Sequence, residues 1–224
     1  SRNQVGLAQP TTQSWEAWVA RLDCLNRSRP QDWPAIDDVL LQSLLPELCV
    51  GRRNLTQLRQ ADWISALWNR LGWNRRTDAD RLVPKTYLVP SGRHHPIRYA
   101  VGEPPTLSIR IQEMFGLSTT PRIVDETLPL RLELLAPNGR PQQITDDLGG
   151  FWAGTWADVR KAMRGRYPKH DWPEDPLTAE PTRRARRIFP THVSSASTGW
   201  AREKEDDART QNNGASARHE NLRL

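Results

Sequence analysis

Cysteine is scarce in this chain, with Cys24 and Cys49 the only two among 224 residues. Both stand in apolar helical patterns, with no CxxC pairing and no histidine at ligand spacing. That excludes a structural zinc site and a disulfide framework, and it predicts two core thiols in a reducing compartment. Long apolar runs are lacking too. No stretch of about eighteen apolar residues occurs, and no charged leader precedes an apolar segment, so neither a membrane span nor secretion is indicated and the predicted location is cytoplasmic. Phe and Tyr are few, three of each, whereas Trp reaches ten. With 37% hydrophobic residues and a mean hydropathy of −0.72, part of the chain falls short of what a packed core requires.

That part is the C-terminal segment 188–224, where Ser, Asn, Gly, Arg and Glu follow no period and predict disorder. It carries five Lys and Arg against five Asp and Glu, so the net charge of +6 belongs to residues 1–187. A pI near 9.9 makes nucleic acid or another anionic surface a reasonable partner. The first residue is Ser rather than Met, which suggests a fragment or a processed chain.

Periodicity divides the remainder. Trp15, Trp18, Val19, Leu22 and Leu25 recur as one helical stripe that ends at Arg29-Pro30. Ile36, Val39, Leu40, Leu44 and Leu48 mark a second helix with Asp37 and Asp38 in its first turn, and Pro46 is expected to break it. Asn54 and Asp62 are plausible caps, the latter for a helix that turns Ile64, Leu67, Trp68 and Leu71 inward and ends at Gly72. A short helix is expected over Asp78–Leu82.

From Thr86 the period becomes that of strands. TYLVP and PIRYAV flank a turn, SGRHH, in which His94 and His95 read as exposed. Leu107, Ile109 and Ile111 alternate, and QEMFGL forms a helical turn closed by Gly116. Leu128, Leu130, Leu132 and Leu134 alternate before Asn138-Gly139, a dipeptide suited to a hairpin with positive φ at both residues. A last helix, capped by Thr155 with Asp158 behind it, carries Trp156, Val159 and Met163 inward and ends at Gly165.

Residues 165–184, GRYPKHDWPEDPLTAEPTRR, match no helix or strand period. Pro168, Pro173, Pro176 and Pro181 bar the segment from a helix interior or a central strand, leaving an extended arm. Tyr167 and Trp172 are the candidate clamp that fastens it. Arg160, Lys161 and Arg164 fall opposite the helix's apolar stripe, and with Arg166, Lys169, Arg183, Arg184, Arg186 and Arg187 they make residues 158–187 a basic region of nine Lys and Arg against five Asp and Glu. These nine are the candidate nucleic-acid-binding residues, against the alternative of a solvated helix face and a loose basic end. His170-Asp171 lacks the partners of a metal or acid–base site, and the adjacent pairs Asp146-Asp147 and Glu174-Asp175 suit turns and caps. No catalytic or metal-binding constellation is predicted. The Trp residues are expected in the core or as clamps, with Trp33 and Trp172 fastening loops.

Four blocks in order carry a resemblance: VPSG (89–92), GEPPTLSIRIQEMFGL (102–117), LLAPNGRPQQITDDLGGFW (134–152) and RGRYPKHDWPEDPLTAEPTRR (164–184). Over about residues 12–187 the chain resembles the C-terminal region of HrpB-type ATP-dependent helicases, bacterial members of the DEAH/RHA group. The resemblance implies a parent helicase that uses ATP and Mg and whose core domains are this region's partners, with RNA or single-stranded DNA as a further one. The family's phosphate-binding GxxxxGK[ST] loop and DEAH motif are both missing from these residues, so no catalytic role or cofactor carries over to any position here. A protein-interaction module that never touches nucleic acid is the alternative function. The expected architecture is α+β: a flexible leader over 1–11, a helical subdomain over 12–84, a β-rich domain with a closing helix and arm over 85–187, and the tail.

Overall fold

The computed structural model describes Gln9, Pro10 and residues 12–182. One compact unit comprises Ser1–Ile188; a second, Phe189–Leu224, lies outside the described residues. The expected tail and most of the expected leader therefore also lie outside them.

Five helices come first. In α1 (Gln13–Ser28) the Thr12 side chain accepts from the Trp15 amide, and Trp15, Trp18, Leu22 and Leu25 are buried. In α2 (Asp38–Leu48) Asp37 accepts from the Leu40 amide at 2.9 Å. Two expectations fail in this helix. Val39 is 75% exposed, because Leu41, Leu44 and Leu48 set the buried register. Pro46 lies within a continuous helix rather than breaking it. The carbonyl that its missing N–H deprives belongs to Gln42, and both residues are exposed, the setting in which a helix tolerates an interior proline at least cost. Asn54 caps α3 (Leu55–Arg59) and Asp62 caps α4 (Trp63–Leu71), each bonding a backbone amide at 2.9 Å.

Gly72, at φ 96°, ends α4 and immediately precedes α5 (Trp73–Leu82), which starts five residues before the expected helix. Tertiary contacts, rather than an apolar period, support the added turns. Arg21 of α1, 3% exposed, donates to Asp80 and to the Val83 carbonyl, both at 2.7 Å, and lies over the Trp18 ring. Arg75 lies over the Trp33 ring and Arg76 over that of Trp18. Edge-on pairs Trp15–Trp63 and Trp18–Trp68, with ring centres 5.6 and 4.8 Å apart, fill the space between α1 and α4. Cys24 is buried, which pushes its thiol up to about 11, whereas Cys49 at the end of α2 is exposed and is not the predicted core thiol.

The β part is a mixed sheet in the order β1 (Thr86–Leu88), β2 (His94–Arg98), β3 (Thr106–Arg110), β6 (Arg131–Leu135), β7 (Pro141–Thr145). All pairings are antiparallel except β3 with β6. That parallel pair requires a crossover, supplied by a 3₁₀ turn (Ile111–Met114) and a two-stranded ribbon of β4 (Arg122–Ile123) and β5 (Leu128–Pro129). Leu107, Ile109, Leu130, Leu132 and Leu134 are almost wholly buried, each such side chain contributing about 1.5–3 kcal/mol.

The two outer hairpins share one turn. In Val89-Pro90-Ser91-Gly92-Arg93 and Ala136-Pro137-Asn138-Gly139-Arg140 the glycine amide donates to the first residue's carbonyl, and the first residue's amide to the arginine carbonyl, all at 2.9 Å. Only the glycines have positive φ, 76° and 84°. Asn138 does not, contrary to expectation, because Pro137 makes this a three-residue loop in which the glycine alone is left-handed. His94 and His95 accordingly belong to β2 rather than to the turn.

Between β4 and β5, Val124, Asp125 and Glu126 all have positive φ. Arg29 and Arg81 hold Asp125, Arg122 holds the carbonyls of Glu126 and Thr127, and the Val124 amide donates to the Leu82 carbonyl. These bonds offset the backbone strain and tie the ends of α1 and α5 to the crossover. Asp147 caps α6 (Leu148–Ala153), and α7 (Trp156–Arg166) closes the unit, running one residue beyond the predicted stop at Gly165. No helix among the described residues is long and apolar enough to cross a membrane.

Candidate nucleic-acid interface

Helix α7 has a dry side and a charged side. Trp156 and Met163 are buried and Val159 half-buried, whereas Lys161, Arg164 and Arg166 are exposed. Thr155 occupies the N-cap position without a side-chain bond, so Asp158 in the first turn and the two arginines in the last complement the helix dipole instead. Lys169, past the end of the helix, is exposed as well.

Arg160 behaves differently from its predicted neighbours. Its Nε donates to the Trp172 carbonyl at 3.0 Å and its terminal nitrogen meets Glu174 at 2.9 Å, so this cation is engaged by the arm. The Trp172 side chain is 5% exposed, donates its indole N–H to the Tyr167 carbonyl at 2.9 Å, and packs 6.2 Å from the Trp156 ring. Tyr167 is half-buried and meets the His170 ring edge-on. Farther along, the Gly116 amide donates to the Pro176 carbonyl and the Thr182 amide to the Gln112 carbonyl, both at 2.9 Å, so the arm lies along the 3₁₀ turn.

A polar cleft of about 530 Å³ opens between α7 and the arm, lined in part by Arg160, Arg164, His170, Asp171, Trp172 and Glu174. Its two arginines face two carboxylates, so the cleft itself is near neutral. Burial, and then the Arg110 charge, hold the His170 imidazole below its ordinary value of 6.5. Outside the cleft, Lys161, Arg166 and Lys169 are exposed cations, and Arg164 at the cleft's edge is exposed too. Arg183, Arg184, Arg186 and Arg187 lie outside the described residues.

The acidic pairs have local partners. Asp147 bonds the Gly150 amide, Asp175 the Leu177 amide, Asp146 takes both ends of the Arg131 guanidinium, and Glu174 holds Arg160. Arg131 also holds the Asp146 carboxyl below its ordinary 3.8. Among the described residues no group of three or more His, Cys, Asp or Glu side chains converges as a metal site would need.

Two clusters escaped the sequence reading. Glu113, 1% exposed, accepts at one oxygen from Ser91 Oγ (3.1 Å) and meets His95 Nε2 at 3.0 Å through the same oxygen. The carboxylate stands between hydroxyl and imidazole, whereas a nucleophile triad places the imidazole in the middle. A lone acid in the run Ile111–Phe115 was the available signal, because a buried carboxylate needs partners. The second cluster surrounds Trp73, which is 49% exposed while the other eight described tryptophans are buried. The polar run Asn74–Asp78, with no apolar partner at helical spacing, was the signal there.

The family model for the HrpB ATP-dependent helicase C-terminal region matches residues 44–176. The ATP-dependent RNA helicase HrpB of Escherichia coli strain K12 is 44% identical over 173 residues, 75% of this chain and 21% of that protein. A crystal structure of the E. coli DExH-box NTPase HrpB superposes with a TM-score of 0.69 at 43% identity, over 80% of this chain and 23% of the other. A second, of the E. coli DEAH/RHA helicase HrpB, gives 0.58 at 41% identity, over 75% and 22%. The chain thus spans about a fifth of the length of the relatives it matches.

Proposed function

Because this chain belongs to the HrpB-type ATP-dependent helicase C-terminal family, we propose that it serves as the C-terminal accessory domain of such a helicase, packs on the helicase core, and contacts RNA or single-stranded DNA. The observation that carries the nucleic-acid part is the strip of Lys161, Arg164, Arg166 and Lys169. All four are exposed: Lys161 and Arg164 on the side of α7 away from Trp156, Val159 and Met163, Arg166 at the last residue of the helix, and Lys169 at the start of the arm. Each phosphate such a cation neutralises releases counterions, so binding through the strip weakens steeply with salt. The arm's fastening through Trp172 and Arg160 would hold the strip in place.

Nucleotide chemistry does not fit these residues. The sequence has neither a GxxxxGK[ST] loop to cradle phosphates nor a DEAH motif. ATP and Mg would therefore be held by the helicase core.

Filter binding of a single-stranded oligonucleotide at two salt concentrations tests the reading. Binding should fall with salt, and replacing Lys161, Arg164, Arg166 and Lys169 together by Ala should lower affinity about tenfold or more, with an unchanged melting temperature. Salt-insensitive binding, or full affinity in the variant, would favour the protein-interaction alternative. The exposed Val50 and Leu55, beside the end of α2, would suit that role.

A further inference from the structure

We infer that Trp73, with Arg76 and Arg70 beside it, is a stacking site for an unpaired nucleic-acid base, on the helical part of the unit and separate from the α7 strip. Eight of the nine described tryptophans are at most 8% exposed; Trp73 alone leaves about half its surface in water. An isolated exposed aromatic needs no explanation. This one is held in position.

Its indole N–H donates to Asn69 Oδ1 at 2.7 Å, and the Asn69 amide nitrogen in turn donates to Glu47 at 2.8 Å. The chain from α2 through α4 fixes the ring by its polar edge. The Arg76 guanidinium lies over the ring, 5.4 Å from its centre, and is itself positioned 5.7 Å from the buried Trp18 ring. With its single donor satisfied and a cation over it, the indole offers a base a pre-oriented apolar surface, so little side-chain freedom remains to be lost on binding.

The surroundings favour an anionic aromatic ligand over an apolar protein face. Arg70 and Arg76 stand three residues before and after Trp73. Residues 47–78 carry six arginines against three acids, Glu47, Asp62 and Asp78. Arg70 donates one bond to Ser43 and remains exposed, and Arg52, bonded to the Leu48 carbonyl, lies by the end of α2 that holds Glu47. Glu47 is tied to Asn69, and Asp80, farther along α5, is paired with Arg21, so these carboxylates are already partnered. Among the immediate neighbours in sequence, Asn69, Arg70, Asn74, Arg75 and Arg76 are polar and Leu71 is half-buried, so within the helical part the exposed large apolar side chains nearest in the chain are Val50 and Leu55 beside the end of α2. Stacking on an indole is indifferent to base identity, because every base has a π-face.

The test is fluorescence anisotropy on the whole chain with two labelled probes, a short oligouridine and an abasic oligonucleotide of the same length. Trp73→Ala should weaken oligouridine binding by about 5-fold to 150-fold, the loss of one stack worth roughly 1–3 kcal/mol. Abasic binding should be unchanged, and Trp73→Phe should retain most of the oligouridine affinity. The melting temperature should stay constant, because the ring is half exposed. Equal oligouridine affinity in wild type and Trp73→Ala, or an equal loss on both probes, overturns the inference. So does a Trp73→Ala variant that binds oligouridine normally but no longer binds the purified helicase core, which would make the ring a protein contact. The α7 variant reports on the other site separately: replacing its four cations should weaken both probes.

Discussion

At the scale of single residues, the most consequential side chain outside the basic strip is Glu113. A carboxylate buried to 1% exposure is tolerated because Ser91 and His95 converge on it, and both belong to the hairpin of β1 and β2. The acid thereby fastens that hairpin to the 3₁₀ turn over which the arm passes. Glu113→Ala should destabilise the chain by about 2–4 kcal/mol in denaturant unfolding, through the vacated volume and the partners left behind, whereas Glu113→Gln should lose less. Equal, small losses for both would remove the fastening role. The partnership was not legible in sequence, since Ser91 and His95 are 22 and 18 residues away. Trp73 differs, since the polar run Asn74–Asp78 that follows it was a local signal. Nothing in residue type alone distinguishes a half-exposed tryptophan from eight buried ones.

Among the elements, the paired hairpins show how much local chemistry can specify. Proline at the first loop position presets its own φ, and glycine at the third takes the left-handed conformation at little steric cost. The same order occurs in Val89–Arg93 and Ala136–Arg140, with the same bonds. A Cβ at Gly92 or Gly139 would meet nothing within 4 Å. Replacement by Ala therefore isolates the backbone effect, and each should cost about 1–2 kcal/mol by denaturant unfolding, with Asn costing less. A neutral Ala variant would contradict the left-handed geometry. The helices were legible to the extent that they were amphipathic or capped. Asp37, Asn54 and Asp62 announced three starts, and the C-terminal half of α5 was expected over Asp78–Leu82, but its first five residues have neither a capping side chain nor an apolar stripe, and there Arg75 and Arg76 meet the Trp33 and Trp18 rings.

For the molecule as a whole, charge pairing sets the response to acid. Arg131 lowers Asp146, Ser65 bonds lower Asp62, and Arg81 and Arg29 lower Asp125, all below 3.8. Their contribution is present above that value and is lost as pH falls through the lower folded-state values, because the unfolded chain takes up those protons first. His170 acts in a higher window. Its folded-state value lies below 6.5, so the unfolded chain binds the proton more readily and stability declines as pH drops below 6.5. His170→Gln should flatten the decline of the melting temperature just below pH 6.5 while leaving the carboxylate-dependent acid limb in place. An unchanged slope in the variant would show that His170 does not titrate differently on folding. The same histidine lines the cleft beside Arg164, so this measurement also reports whether the arm is docked in solution.

What the sequence by itself determined are features that depend on near neighbours along the chain: the stripe of α1, the three helix starts, the alternation of Leu130, Leu132 and Leu134, the proline-barred arm, and four blocks specific enough to indicate a family. Tertiary structure decided which chemically similar residues do different things. Arg160 turns to the Trp172 carbonyl while Arg164, one helical turn on, stays exposed, and Cys24 is buried while Cys49 is open. The parallel pairing of β3 with β6, the left-handed run Val124–Glu126, and the meeting of Ser91, His95 and Glu113 were likewise decided at that level. The physical reason is common to all of them. Propensity, capping and periodicity act within about a turn of helix or a few residues of strand, whereas burial and partner choice depend on segments that only the folded chain brings together.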